Sequence, residues 1–273
     1  DRIDTEDFLN NAQTLYQIIF PENINWEDQH HLTIVPDGLF HQLSVESLVL
    51  PDTDLALKSA NYLFKNVPIS YSLGLHLTKP FQKNQTNSSV LAVAPNFKSQ
   101  QVVSQRDCSE EVFGSLTCNT EEVEFIASIY DGRSFLHDNA TVENFTSSVD
   151  QHQIIHLATH ACIDTTNYYK SAIVFNDGQN KTVVLSACNN AHGSEVSGEG
   201  VFNFARTLTE LGCKEVVVSL WPIDDCSTAK FIKDFYSLRK KYHHTPLALQ
   251  KARSRFIKNS DKLHSMPLFW APL

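Results

Sequence analysis

Two stretches decide the fold: Ile154-Ile155-His156-Leu157-Ala158-Thr159-His160-Ala161 and Val183-Val184-Leu185-Ser186-Ala187-Cys188-Asn189-Asn190. Each is an apolar, β-branched run that ends abruptly in a reactive side chain. Runs of this kind are interior strands of a parallel sheet, covered on both faces. In such sheets chemistry gathers in the crevice beyond the carboxyl ends of the strands. One strand delivering an imidazole and another a thiol is the layout that a cysteine nucleophile with a histidine partner requires.

Working outward, strands and helices alternate. Leu32 to Val35 reads as a strand closed by Pro36-Asp37-Gly38, and Ser89 to Ala94 as a second closed by Pro95-Asn96. Lys83 to Ser88 reads as a polar loop. Asn119 with Glu122 three residues later predicts a capped helix with Val123, Ile126, Ala127 and Tyr130 on its apolar stripe. Val142, Phe145 and Val149 predict a shorter helix. Beyond Cys188, a polar loop from Gly193 to Gly200 leads to a helix carrying Val201, Phe204, Ala205, Leu208 and Leu211, stopped by Gly212. Glu215 to Leu220 predicts a strand. Phe231, Ile232, Phe235 and Tyr236 mark another helix, and Thr245 then Pro246 cap and open the last. This order gives an α/β sandwich with a mostly parallel sheet. A polar stretch near residues 100–118 predicts a boundary between two subdomains, 1–105 and 106–273.

Composition narrows the function. Of 273 residues, 31 are acidic and 22 basic, for a net charge of −9. The longest basic run is Arg239-Lys240-Lys241, so direct nucleic-acid binding is disfavoured. The six cysteines form no C-x-x-C pair and no disulfide framework, and several lie in apolar strand or helix context, as free thiols of a reducing compartment do. With no signal peptide or membrane-length apolar run, the expected location is the cytoplasm, away from membranes. The start at Asp1 rather than Met reads as a piece of a longer polypeptide.

Cys188 as a nucleophile needs help, because a free thiol has a pKa of about 8.5. A histidine within hydrogen-bonding reach can take that proton and later return it to a leaving amine. The plain alternative is a buried apolar cysteine. Its place at a strand end before Asn189-Asn190 favours function. His160 has its own alternative as a hydrogen-bonded structural histidine. His156 shares its parity but lies deeper in the run and reads as the structural one. His192, in the loop, is poorly positioned. The Gly193–Gly200 loop lacks the phosphate-loop lysine, and His30-His31 and His243-His244 lack partners at ligand spacing. No cofactor and no metal is expected.

The blocks His-Leu-Ala-Thr-His-Ala, Leu-Ser-Ala-Cys, Gly198-Glu199-Gly200, Leu220-Trp221-Pro222-Ile223-Asp224-Asp225 and Trp270-Ala271-Pro272 resemble the CHAT-domain family, caspase-like cysteine peptidases related to separase and often fused behind TPR repeats. The ordered blocks span residues 119–273, and Ile34-Val35-Pro36-Asp37-Gly38 extends the likeness toward the start. The resemblance implies a caspase-like α/β/α sandwich behind a degenerate caspase-like half. It implies His160 and Cys188 as catalytic dyad, with an oxyanion hole from the backbone N–H groups of Ala161 and Cys188. Glycine is more usual at the position of Ala161, and a conformation needing positive φ would be harder for alanine. It further implies Asp225 as floor of a pocket for Arg or Lys before the scissile bond, with Trp221 edging the substrate groove. Asp224 and Asp225 also read as caps of the following helix. The implied partners are a protein substrate and an N-terminal TPR-type region or regulatory protein. The competing readings are a catalytically silent scaffold of the same fold and a different hydrolase or acyl transferase using the dyad.

One spacing disagrees. His160 and Cys188 are 28 positions apart (188 − 160), closer than the family's blocks, and Asp177 to Lys181 is too short for a parallel crossover of roughly ten or more residues. A segment missing between Gly178 and Lys181 is expected.

Overall fold

A computed structural model describes residues 5–21, 24–51, 56–75, 88–97, 101–102, 112–162, 172–173, 175, 205–209, 213–221 and 224–272. In chain order the helices are α1 (Thr5–Ile19), α2 (Leu63–Asn66), α3 (Asn119–Tyr130), α4 (Val142–Ser148), α5 (Asp225–Tyr242) and α6 (Thr245–Asn259). The strands are β1 (Leu32–Ile34), β2 (Ile69–Tyr71), β3 (Val90–Ala94), β4 (Gln101–Val102), β5 (Val112–Phe113), β6 (Arg133–Leu136), β7 (Ile154–Leu157), β8 (Ala161–Cys162) and β9 (Ala172–Ile173).

Strand β3 is apolar throughout and all five of its residues are buried. It therefore takes the centre of a parallel sheet, between β6 and β7. The strand period of two sorts its side chains into two layers. Ala92 and Ala94 meet Val123 of α3, and their small size lets that helix lie close. Leu91 and Val93 join Phe135, Val142 and Phe145 on the opposite face. Strand β7 follows the same parity: Leu157 packs in the Leu91 layer, while His156 turns toward α3 and α5. Helices on both faces of parallel strands make this an α/β sandwich.

The turn from α3 into β6 permits only glycine at position 132. Asp131 ends the helix in the left-handed region at φ 51°, and Gly132 N donates to Ala127 O. A Cβ on Gly132 would lie 2.1 Å from Val90 Cγ1 and 2.6 Å from Val90 O.

The antiparallel pair α5–α6 seals the α3 side. Phe231, Phe235, Phe256 and Trp270 share one core with Leu9, Tyr16, Trp26, Tyr62 and Phe64 from the first part of the chain. Arg253 of α6 pairs with Glu46 at 3.1 Å in that core, and the Tyr71 hydroxyl donates to Glu46 at 2.6 Å.

Several sequence expectations hold. The helices at 119–130, 142–148 and 225–242 form, and Phe231, Ile232, Phe235 and Tyr236 are all buried. Others are corrected. The Asn119/Glu122 capping box does not exist, because both side chains face inward. Asn119 Nδ2 donates to Pro95 O and Ala158 O, Glu122 accepts from His156, and Cys118 becomes the cap residue. The last helix is capped by His244, whose Nδ1 accepts from Leu247 N, which moves the cap one residue before Thr245.

Leu32–Ile34 pairs with β2 rather than joining the central sheet. Glu215–Leu220 forms no ladder among the described residues, yet Val216 and Val218 pack in one core and Val217 in the other, the alternation of an extended chain. The Cys188 run, the loop after it, Gly212 and the segment 83–87 lie outside the described residues, as does the short Asp177–Lys181 connection. Among the described residues, no helix is long and apolar enough to cross a membrane.

Candidate active site

Strand β7 hands the chain to the site. Ala158 N still donates to Val93 O, and Ala158 O accepts from Asn119, so the strand end is pinned to β3 and α3. His160 follows two residues later, only 3% exposed, with its ring tilted against Phe97 at 4.8 Å between centroids. Its Nε2 donates to Gly114 O at 2.8 Å. A carbonyl only accepts, so the proton sits on Nε2 and the neutral ring keeps its lone pair on Nδ1. Burial pulls the imidazole pKa below its ordinary value, against smaller opposing effects from the Gly114 bond and the Asp225 charge. The ring is thereby kept neutral, as a base must be.

Ala161 is buried and extended in β8, paired with Ile173 of β9. The described non-glycine residues with positive φ are Asp131, His137 and His243, so alanine at 161 meets no left-handed strain.

The two aspartates have different tasks. Asp224 caps α5, accepting from Ser227 N at 2.8 Å, and that bond first of all holds its carboxyl below the usual range. Asp225 reaches across to the start of α3. Its Oδ2 accepts from Thr117 N at 2.7 Å, Cys118 N at 2.8 Å and the Thr117 hydroxyl at 3.3 Å. The same short segment, 114–118, therefore presents Gly114 O to His160 and is held by Asp225. Trp221 Nε1 donates to Leu268 O at 3.0 Å. The structure thus groups His160, Gly114 and Asp225. Cys188 lies outside the described residues.

The expectation of free thiols in place of disulfides is corrected at one pair. Cys118 and Cys226 form a disulfide, with Cα atoms 5.1 Å apart and 108 positions between them in sequence. They meet because α3 and α5 pack side by side with their N-termini adjacent; no spacing rule reveals such a pair. Cys213 is free and exposed. The Cys118, Cys226 and Asp225 ligand atoms lie within 4.8 Å of one another, but sulfurs bonded to each other offer no thiolate to a metal. Sequence reasoning also missed Gly114, since a backbone carbonyl leaves no residue-type signal.

Compared with known proteins, residues 9–273 match the family model described as CHAT domain. No curated protein matches the chain. The family is caspase-like and related to cysteine peptidases, in keeping with mixed helices and mostly parallel strands. With the match running over almost its whole length and a histidine set at the tip of a parallel strand, the chain belongs to the CHAT-domain family and has its caspase-like α/β fold.

Proposed function

We propose that the chain is a cysteine endopeptidase in which Cys188 is the nucleophile and His160 the general base and acid. His160 Nδ1 takes the thiol proton as sulfur attacks the peptide carbonyl, then gives it to the leaving amine; water hydrolyses the acyl-enzyme. The observation that carries this reading is the fixed tautomer of His160, with Nε2 spent on Gly114 O and the ring held neutral by burial. Backbone N–H groups of Ala161 and Cys188 would receive the oxyanion, a stabilisation worth about 3 kcal/mol per donor.

Asp225 is proposed to select Arg or Lys before the scissile bond. Its charge is felt at His160, and its three hydrogen bonds all fall on Oδ2, leaving Oδ1 without a partner among the described residues. Trp221 is proposed to edge the groove. The subdomain division at 1–105 and 106–273, the cytoplasmic location, and control by an N-terminal TPR-type region or regulatory protein belong to the same reading.

The burial of His160 also favours a second reading, a catalytically silent scaffold. An active-site electrophile separates the two: adduct formation on Cys188 that disappears in His160→Ala supports the peptidase, and an inert Cys188 supports the scaffold. Peptide-library cleavage after Arg or Lys supports the Asp225 pocket. Cleavage after Asp refutes it.

A further inference from the structure

We infer that the Cys118–Cys226 disulfide is a redox-operated clamp that holds the 114–118 segment, and with it the carbonyl that orients His160. The covalent link ties the N-cap of α3 to the second residue of α5, four residues beyond Gly114 O and one beyond Asp225. Among the described residues, what ties the segment to the start of α5 is the disulfide, the three bonds to Asp225 Oδ2 and the Thr117 contact with Cys226. Opening the disulfide removes the covalent tie, at a surface where Thr117 is exposed and both cysteines are half-buried. A small thiol can reach such sulfurs.

The chemistry favours opening. Both sulfurs lie at helix N-termini, which favour a departing thiolate against the Asp225 carboxylate within 4.8 Å, and the Thr117 hydroxyl, 3.6 Å from Cys226 Sγ, can turn from Asp225 to that thiolate. A low-molecular-weight thiolate attacks one sulfur, the Sγ–Sγ bond breaks, and its electron pair leaves on the other sulfur, which takes up a proton. A second small thiol then displaces the first as a small-molecule disulfide. Two small thiols are oxidised and the protein pair gains two electrons and two protons. In a reducing compartment, a disulfide of this kind is typically transient and redox-sensing.

Only the consequence for peptide cleavage rests on the peptidase reading, so the test reads His160 itself. The full chain is purified without reductant and mapped by differential alkylation. Histidine NMR titration and amide hydrogen exchange are then followed before and after reduction. The Cys118→Ser/Cys226→Ser double variant serves as the open form, and Cys213→Ser as a control that retains the clamp. The expected result is an oxidised pair whose reduction speeds amide exchange at Thr117 and Cys118 by about tenfold and shifts the His160 midpoint as the Gly114 bond that raises it is loosened. His156 stays unchanged, and the double variant no longer responds to reductant. Free thiols that oxidised glutathione cannot pair overturn the inference, as does zinc held stoichiometrically by the two cysteines. A His160 signal and exchange pattern indifferent to reduction overturn it equally. A responsive His160 in a protein inert to the electrophile keeps the clamp and sinks the peptidase.

Discussion

His156 within β7 and His160 just beyond its end lie four residues apart and are equally buried, yet their surroundings prepare them for different tasks. His156 is closed on both sides: Nε2 donates to the Glu122 carboxylate at 2.7 Å, and Nδ1 receives the Tyr236 hydroxyl at 3.3 Å. The Nε2 of His160 donates to a backbone carbonyl, that of Gly114. Both ring nitrogens of His156 are thus committed to side chains of α3 and α5, whereas the carbonyl at His160 fixes its orientation and burial lowers its pKa. Partner type, more than depth, separates a structural histidine from a candidate base.

The sharpest way to break this comparison is to remove each ring in turn. His160→Ala is expected to lower peptide cleavage by about a thousandfold per folded molecule, beyond any loss of melting temperature from emptying its buried site against Phe97. His156→Ala is expected to lower melting temperature first, with activity following only as folded protein is lost. Equal effects on activity at equal stability would erase the distinction. Glu122→Ala tests the other half. It strands a buried His156 and should cost about 3 kcal/mol in denaturant unfolding, while Cys188 in the folded fraction still reacts with the electrophile.

The histidine contrast was legible in the sequence, because depth within an apolar run and parity along a strand are local properties. The partners were not. Glu122 looked like a capping residue since three-residue spacing after Asn119 fits a capping box. Only the packing of α3 on β7 shows that its carboxylate is needed inside. Strand β6 escaped notice because four residues, Arg133 to Leu136, are too few to display a period. Helix α1 did display one, with Leu9, Ala12 and Tyr16 buried, and that spacing was available to be read. The Asp225–Thr117 bonds and the Cys118–Cys226 link join positions more than a hundred residues apart and arise only from tertiary packing.

Asp225 sharpens the comparison from the pocket side. Asp225→Asn keeps an acceptor oxygen for Thr117 and Cys118 but removes the charge near His160. Preference for Arg or Lys should fall by about tenfold in kcat/KM, read against a neutral residue at the same peptide position. A loss spread evenly over all peptides would assign Asp225 to holding the 114–118 segment alone.

The smallest expected effect concerns protons. The pKa of His160 is lowered by burial, so between that value and the unfolded value of about 6.5 the unfolded chain binds more protons than the folded one. Stability then rises with pH across this window. The contribution of neutral His160 is complete above pH 6.5 and is lost as pH falls through the lowered value. His31 and His244 are also lowered by burial and act in the same direction, so the total slope cannot be assigned to one ring. Comparison of wild type with His160→Gln isolates it: the variant should lose part of the slope below pH 6.5 and keep the rest. The acid limb of peptide cleavage should fall at the same low midpoint, because protonating Nδ1 removes the base. An acid limb above pH 6.5 would mean that burial does not set the charge of His160, and the base assigned to it would lose its support.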